Sequence, residues 1–218
     1  MDRTMETILS RVQKPARYTG GEYNAVVKDP KQVDTRIAMC FPDTYEIGMS
    51  NLGVRILYGL MNELPGVWCE RVFAPWGDME EEMRREGLPL YGLESGDPIS
   101  DFDIIGFSLG YEMAYSNVLN MLDLAGLPLR SADRDEDAPL IIAGGTCAYN
   151  PEPLAPFVDI FSLGEGEDVT VELIRLYQRA RREGWSRQDL LTAAAKVPGL
   201  YVPSLYLSLI HLSEPTRP

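Results

Sequence analysis

The residues best suited to hold a ligand fall where apolar, strand-like runs end. Asp43-Thr44-Tyr45-Glu46-Ile47-Gly48 lies in a stretch of polar and turn-forming residues between the run Thr35–Phe41 and a helix-patterned segment ending at Leu64. The connection is about a dozen residues long, where two to six is usual, and long loops in compact domains commonly touch a ligand. Asp43, Thr44 and Tyr45 offer a carboxylate, a hydroxyl and a phenol, and Gly48 leaves backbone open to close approach. Ser108 ends a second apolar run, Gly144-Gly145 ends another, and Gly164-Glu165-Gly166-Glu167 follows a further one. Each also has a purely structural reading. Asp43 can cap its own turn, Tyr45 can pack at a rim, and Gly48 and Gly53 can serve turns. Gly144-Gly145 can let the chain leave a sheet. Glu165, Glu167 and Asp168 can place acid favourably at a helix N-terminus.

Several chemistries are excluded by what is missing. The single histidine, His211, stands near the end of the chain, so no histidine-based catalytic or metal site lies inside the body of the domain. Cys40, Cys69 and Cys147 are far apart, in or just after apolar runs, and read as buried thiols. No catalytic residue and no metal ligand is assigned. The net charge of −13, from 33 acidic and 20 basic residues, argues against nucleic acid or an anionic membrane as partner. No apolar run is long enough to span a bilayer and no signal-peptide core opens the chain, so the expected location is cytoplasmic.

The elements that must position these residues alternate between strand and helix. Apolar runs predict strands near 35–41, 67–73, 103–108, 139–143 and 159–163, with a short strand at Leu90–Leu93. Helical spacing predicts helices to Leu64, over Asp78–Glu86 with Asp78 as cap, over Tyr115–Ala125, over Val169–Arg182, and from Ser186 to Lys196. The implied class is α/β: a flavodoxin-like or Rossmann-like, doubly wound, five-stranded parallel sheet in the order 2-1-3-4-5. That order puts a ligand crevice beyond the carboxyl ends of the first and third strands. Residues 1–34 read as an extended N-terminal arm, 35–184 as the ligand-binding domain, and 185–206 as a helix and connector.

Asp43-Thr-Tyr-Glu-Ile-Gly48 resembles the DxHxxG fingerprint of cobalamin-binding domains, with Tyr45 where that family has histidine. Ser108 matches the serine of the family's SxL pattern, with Gly110 replacing the leucine. Gly144-Gly145 matches its glycine pair, and Gly164-Glu-Gly-Glu167 the segment that closes the domain in many radical S-adenosylmethionine enzymes. Lys14-Pro-Ala-Arg-Tyr, Phe41–Gly53 and Phe107-Ser-Leu-Gly-Tyr-Glu extend the likeness. Over roughly residues 8–206 the chain resembles the N-terminal portion of a family of cobalamin-domain radical S-adenosylmethionine proteins.

The resemblance implies a cobalamin-binding or cobalamin-binding-like module. It would hold the corrin through Asp43, Thr44, Tyr45, Gly48, Ser108, Gly144, Gly145 and Glu165. The cobalamin would be base-off and without a protein imidazole, since Tyr45 replaces the histidine. The partner implied is the module's own C-terminal radical S-adenosylmethionine barrel. The [4Fe-4S] cluster and S-adenosylmethionine belong to that barrel, because this chain has no CxxxCxxC loop. The alternative is a degenerate, ligand-free domain kept for docking. The segment Leu207–Pro218 resembles translated sequencing-adapter read-through and is set aside, which makes the chain an N-terminal fragment in this reading.

Overall fold

The computed structural model describes residues 3–206. Its strands are β1 (Thr35–Phe41), β2 (Val67–Phe73), β3 (Ile104–Ser108), β4 (Leu140–Gly144), β5 (Ile160–Ser162) and β6 (Leu200–Tyr201). Its helices are α1 (Arg3–Leu9), α2 (Tyr45–Ser50), α3 (Leu52–Glu63), α4 (Gly77–Glu86), α5 (Tyr115–Leu124), α6 (Gly166–Glu183) and α7 (Arg187–Ala194). The strands form one six-stranded sheet in the order β2-β1-β3-β4-β5-β6. Strands β1 to β5 pair in parallel, and β6 runs antiparallel to β5.

The apolar runs explain this layering. Successive side chains of a strand point to opposite faces, and β1 is almost wholly buried on both. Ala38 and Cys40 enter the core shared with α1, α4 and α5. Ile37, Met39 and Phe41 enter the core shared with α3, α6 and α7. Local signals set the helix ends. The Asn51 side chain accepts from the Val54 amide at 3.0 Å to start α3. Ser186 and Asp189 form a capping box at α7. Gly87 and Gly184, at φ 67° and 68°, close α4 and α6.

The outer edge of β2 is covered rather than left open to pairing. Asn62 bonds both the amide and the carbonyl of Cys69. Glu94 accepts from the Arg71 amide at 2.7 Å and from its guanidinium at 2.6 Å. Lys28 donates to the Val67 carbonyl. The arm is held here too, since Glu22 pairs with Arg71 at 3.2 Å and Trp68 donates to the Val26 carbonyl at 2.9 Å.

Five expectations change. The sheet has six strands rather than five: Gly199, at φ 88°, reverses the chain, so the segment read as a connector returns along β5. The 42–53 stretch is mostly helical, because α2 and the start of α3 occupy it. Asp78 does not cap α4. Trp76 stands at the cap position, and the Asp78 carboxylate accepts instead from the amides of Gln13 and Met79, at 2.6 and 2.8 Å. The Leu90–Leu93 segment makes only a bridge, Tyr91 to Pro98. The arm carries α1, whose Ile8 is fully buried. The segment 207–218, with His211, lies outside the described residues. Among the described residues no helix is long and apolar enough to cross a membrane.

Candidate functional site

A cavity of about 210 Å³ lies at the carboxyl edge of the sheet, between β3, β4 and β5 below and α3 and α6 above. Its origin is a shortening of side chains along five elements. On the face under α3 and α6, β3 runs Ile104, Gly106, Ser108; β4 runs Leu140, Ile142, Gly144; and β5 runs Ile160, Ser162. Ser108 and Gly144 stand opposite each other in register. The helices repeat the pattern toward their N-termini: Met61, Leu57, Gly53 on α3, and Ile174, Thr170, Gly166 on α6. Residues three or four apart share a helix face, so the small ones gather at the same end. A methyl group on Gly166 would touch only Leu57, at 3.6 and 3.7 Å. An enclosed apolar cavity of about 150 Å³ accepts benzene, so this one has room for a bicyclic ring.

The residues singled out from sequence separate into groups. Ser108, Gly144 and Gly145 line the cavity. The two glycines differ in kind. Gly145 has φ 103°, and a Cβ there would lie 2.7 Å from the Leu109 carbonyl oxygen, so the backbone itself demands glycine. A Cβ on Gly144 would meet only Ser162, at 3.5 Å, which is ordinary contact. Asp43, Thr44, Tyr45 and Gly48 do not line the cavity; they sit on the β2 side of β1. Asp43 accepts from the Thr44 amide at 2.6 Å and from the Tyr111 hydroxyl, which ties the β1 and β3 loops together. That bond pushes the Tyr111 phenol up to about 12. Thr44 precedes α2 without a side-chain capping bond.

Tyr45 donates to Glu22 at 3.0 Å and meets the edge of Phe73, with centroids 5.5 Å apart. Burial, and then the Glu22 hydrogen bond, raise its pKa. Gly48 is buried in α2, and a Cβ would fall 2.2 Å from the Phe73 ring. Its role here is close packing. Glu165 is the exposed residue preceding α6 and does not line the cavity, whereas Glu167 does.

Sequence reasoning missed Gly106, Ser162, Gly166 and Thr170 as lining residues. Gly106 carried a usable signal, since a glycine inside a strand often marks close approach of a ligand or backbone. Burial raises the pKa of all three thiols, which are free. Among the described residues no group of three or more His, Cys, Asp or Glu is arranged to hold a metal ion.

The family model for radical SAM proteins, N-terminal, matches residues 53–203. An uncharacterised protein of Methanocaldococcus jannaschii is 26% identical over 141 residues, covering 63% of this chain and 26% of the relative. The matched region is thus about a quarter of that relative's length. No solved structure matches the chain.

Proposed function

The chain belongs to the radical SAM N-terminal family, and from that premise we propose that it is a flavodoxin-like, cobalamin-binding module of a longer radical S-adenosylmethionine protein. The observation that carries the reading is the cavity at the carboxyl edge, floored by Gly106, Ser108, Gly144 and Ser162. Parallel α/β sheets bind ligands at this edge. The residues fit the nucleotide tail of a cobalamin, because a slot for a flat bicyclic ring is made here by the absence of side chains on five elements. The first-strand motif plays a different part from the one the resemblance implied. Asp43 and Tyr45 hold the β1 loop to Tyr111 and Glu22. Tyr45 is engaged by Glu22 and Phe73 on the β2 side, so it would stand away from a cobalamin whose tail Ser108 and Gly144 would seat.

Bound cobalamin supplies a methyl carrier or tunes radical chemistry at the partner domain. The chain's own contribution is to seat the tail, shield it from water between α3 and α6, and present the corrin at the sheet edge. The iron–sulfur cluster and S-adenosylmethionine belong, in this reading, to the rest of the parent protein. Gly144→Val tests it. Valine suits a strand, and its side chain would enter the cavity without backbone strain. Titration with cobalamin, followed by absorbance, is expected to show binding by wild type and by Tyr45→Phe, and strong weakening in Gly144→Val. Equal binding by wild type and Gly144→Val refutes the tail-channel reading.

A second reading, a ligand-free docking domain, is favoured by apolar side chains exposed at the same edge, among them Leu52 (66%) at the start of α3, Met113 (87%) and Tyr149 (70%). Absence of cobalamin binding by the well-folded chain selects it.

A further inference from the structure

Helix α2 has little support in its own sequence. It has six residues, Gly48 in its middle and no side-chain cap at Thr44. Isolated helices shorter than about 12 residues are marginal in water, and an interior glycine lowers helix propensity further. The polar side chains of α2 reach outward for support, and they reach the N-terminal arm. Tyr45 donates to Glu22 at 3.0 Å. Glu46 accepts from Lys14 at 3.2 Å and from Arg17 at 2.9 Å. The Met49 sulfur accepts from Arg71 at 3.4 Å, and Arg71 is itself bound to the arm by Glu22 at 3.2 Å and Asn24 at 3.5 Å.

Side chains, not backbone pairing, fasten this part of the arm. Among the described residues, positions 14–24 share no backbone-to-backbone hydrogen bond with the sheet or its helices. Lys14 lies at φ 50° and ψ 59°, and among the described residues no other non-glycine has a positive φ. Such backbone persists only where its surroundings over-determine it. Gly20, at φ 64°, passes so close to Leu93 that a Cβ would fall 2.3 Å from its carbonyl oxygen. Next to it Gly21, at φ 81°, has open space around it, and Tyr23 stands wholly in solvent. The Glu46 side chain is 45% exposed, so its ion pairs are weak singly. The Glu22 and Arg71 side chains are 12% and 3% exposed, which makes that pair the firm fastening.

We propose that arm residues 14–24 are a strap that decides the conformation of residues 45–50. Docked, the strap holds them as α2. Released, it leaves them as the loop that their polar, turn-forming composition favours. The change does not stop at α2. The Asn51 amide closes α2 on the Gly48 carbonyl at 3.1 Å, and its side chain caps α3 at the Val54 amide. The state of the strap is therefore felt at the N-terminal end of α3, over the carboxyl edge of the sheet. This inference stands apart from the cobalamin reading, because none of the fastening residues lines the cavity.

Amide hydrogen exchange on the full chain, read by NMR, tests it, since exchange reports local opening. The variants lie on the arm, so the helix's own sequence is untouched. Glu22→Ala leaves Arg71 paired with Glu94 at 2.6 Å, and so strands no buried charge. It should speed exchange at the Ile47, Gly48 and Asn51 amides roughly tenfold to a hundredfold, as expected for losing hydrogen bonds to a charged group. The carbon-13 Cα shifts of residues 45–50 should move toward coil values. Arg17→Ala should act in the same direction more weakly, and Arg17→Lys should restore the wild-type pattern. Amides of β3 and β4 should be unchanged throughout. Unaltered exchange at α2 in the double variant Arg17→Ala/Glu22→Ala overturns the inference, because α2 then stands without the strap. Equal acceleration in β3 and β4 also overturns it, because the arm then supports the whole sheet. Should Glu22→Ala fail to fold, as judged by circular dichroism, Lys14→Ala/Arg17→Ala gives the same comparison.

Discussion

Adjacent glycines at the end of β4 should respond oppositely to a single added methyl group. Gly145 holds φ 103°, and its Cβ would fall 2.7, 3.1 and 3.2 Å from the oxygen, nitrogen and carbonyl carbon of Leu109. All three are backbone atoms, and that backbone is itself pinned: the Leu109 amide donates to the Gly144 carbonyl at 2.7 Å, and the Leu109 carbonyl accepts from Cys147 at 3.1 Å. Alanine at 145, held at φ 103° and ψ −178° where almost only glycine is found, therefore incurs a backbone cost of about 1–3 kcal/mol. It also weakens at least one backbone hydrogen bond, worth about 1 kcal/mol. The expected destabilisation is about 2–4 kcal/mol, or roughly 4–16 °C in melting temperature for a domain of this size. Gly144→Ala meets only the Ser162 Cβ, at 3.5 Å. It should be neutral or stabilising by up to about 1 kcal/mol, because glycine in a strand costs about that much relative to alanine. Urea unfolding followed by circular dichroism measures both. Equal destabilisation of the two variants would refute the division into one glycine required by the backbone and one required only by the cavity.

Three further outcomes are expected. Asp159→Asn removes the carboxylate that faces Arg134 at 3.2 Å and Arg187 at 2.8 Å, with the Asp159 and Arg134 side chains fully buried. The uncompensated charge should cost about 3–5 kcal/mol, and a change below 1 kcal/mol in urea unfolding would contradict that network. Tyr111 should keep its proton to about pH 12, against about 10 in the unfolded chain. Its stabilisation is therefore full below pH 10 and lost as pH rises through 12. Carbon-13 tyrosine NMR, assigned with Tyr111→Phe, should show Asp43→Asn returning this titration toward about 10. Ile8→Ala should cost about 2–5 kcal/mol, because Ile8 is fully buried in the core shared with α4 and α5. A melting temperature unchanged from wild type would mean that the arm only rests on the surface.

What the sequence determined by itself is whatever is written locally. Thr35–Phe41 is a mostly apolar run and Val67–Phe73 an alternating one, and both are strands over those same bounds. Gly87 and Gly184 mark helix ends, because only an unhindered backbone turns left-handed there at little cost. The alternation of strand and helix carried the α/β class and the order of the first five strands. The tertiary structure decided the rest, for reasons of scale. Strand β6 has two residues, too few to show a period, and exists because Gly199 folds it back onto β5. Helix α2 reads as loop from its polar composition, and its Gly48 packs against Phe73, a residue twenty-five positions away. Tyr45 faces Glu22 rather than the crevice because the arm brings that carboxylate to β2. The cavity is the clearest case. Gly53, Gly106, Ser108, Gly144, Ser162, Gly166 and Thr170 are small residues scattered over five elements, and none makes a space by itself. They become a site only when the sheet order sets β3, β4 and β5 side by side and lays the N-terminal ends of α3 and α6 over them, because a space is made by side chains missing from several distant segments at once.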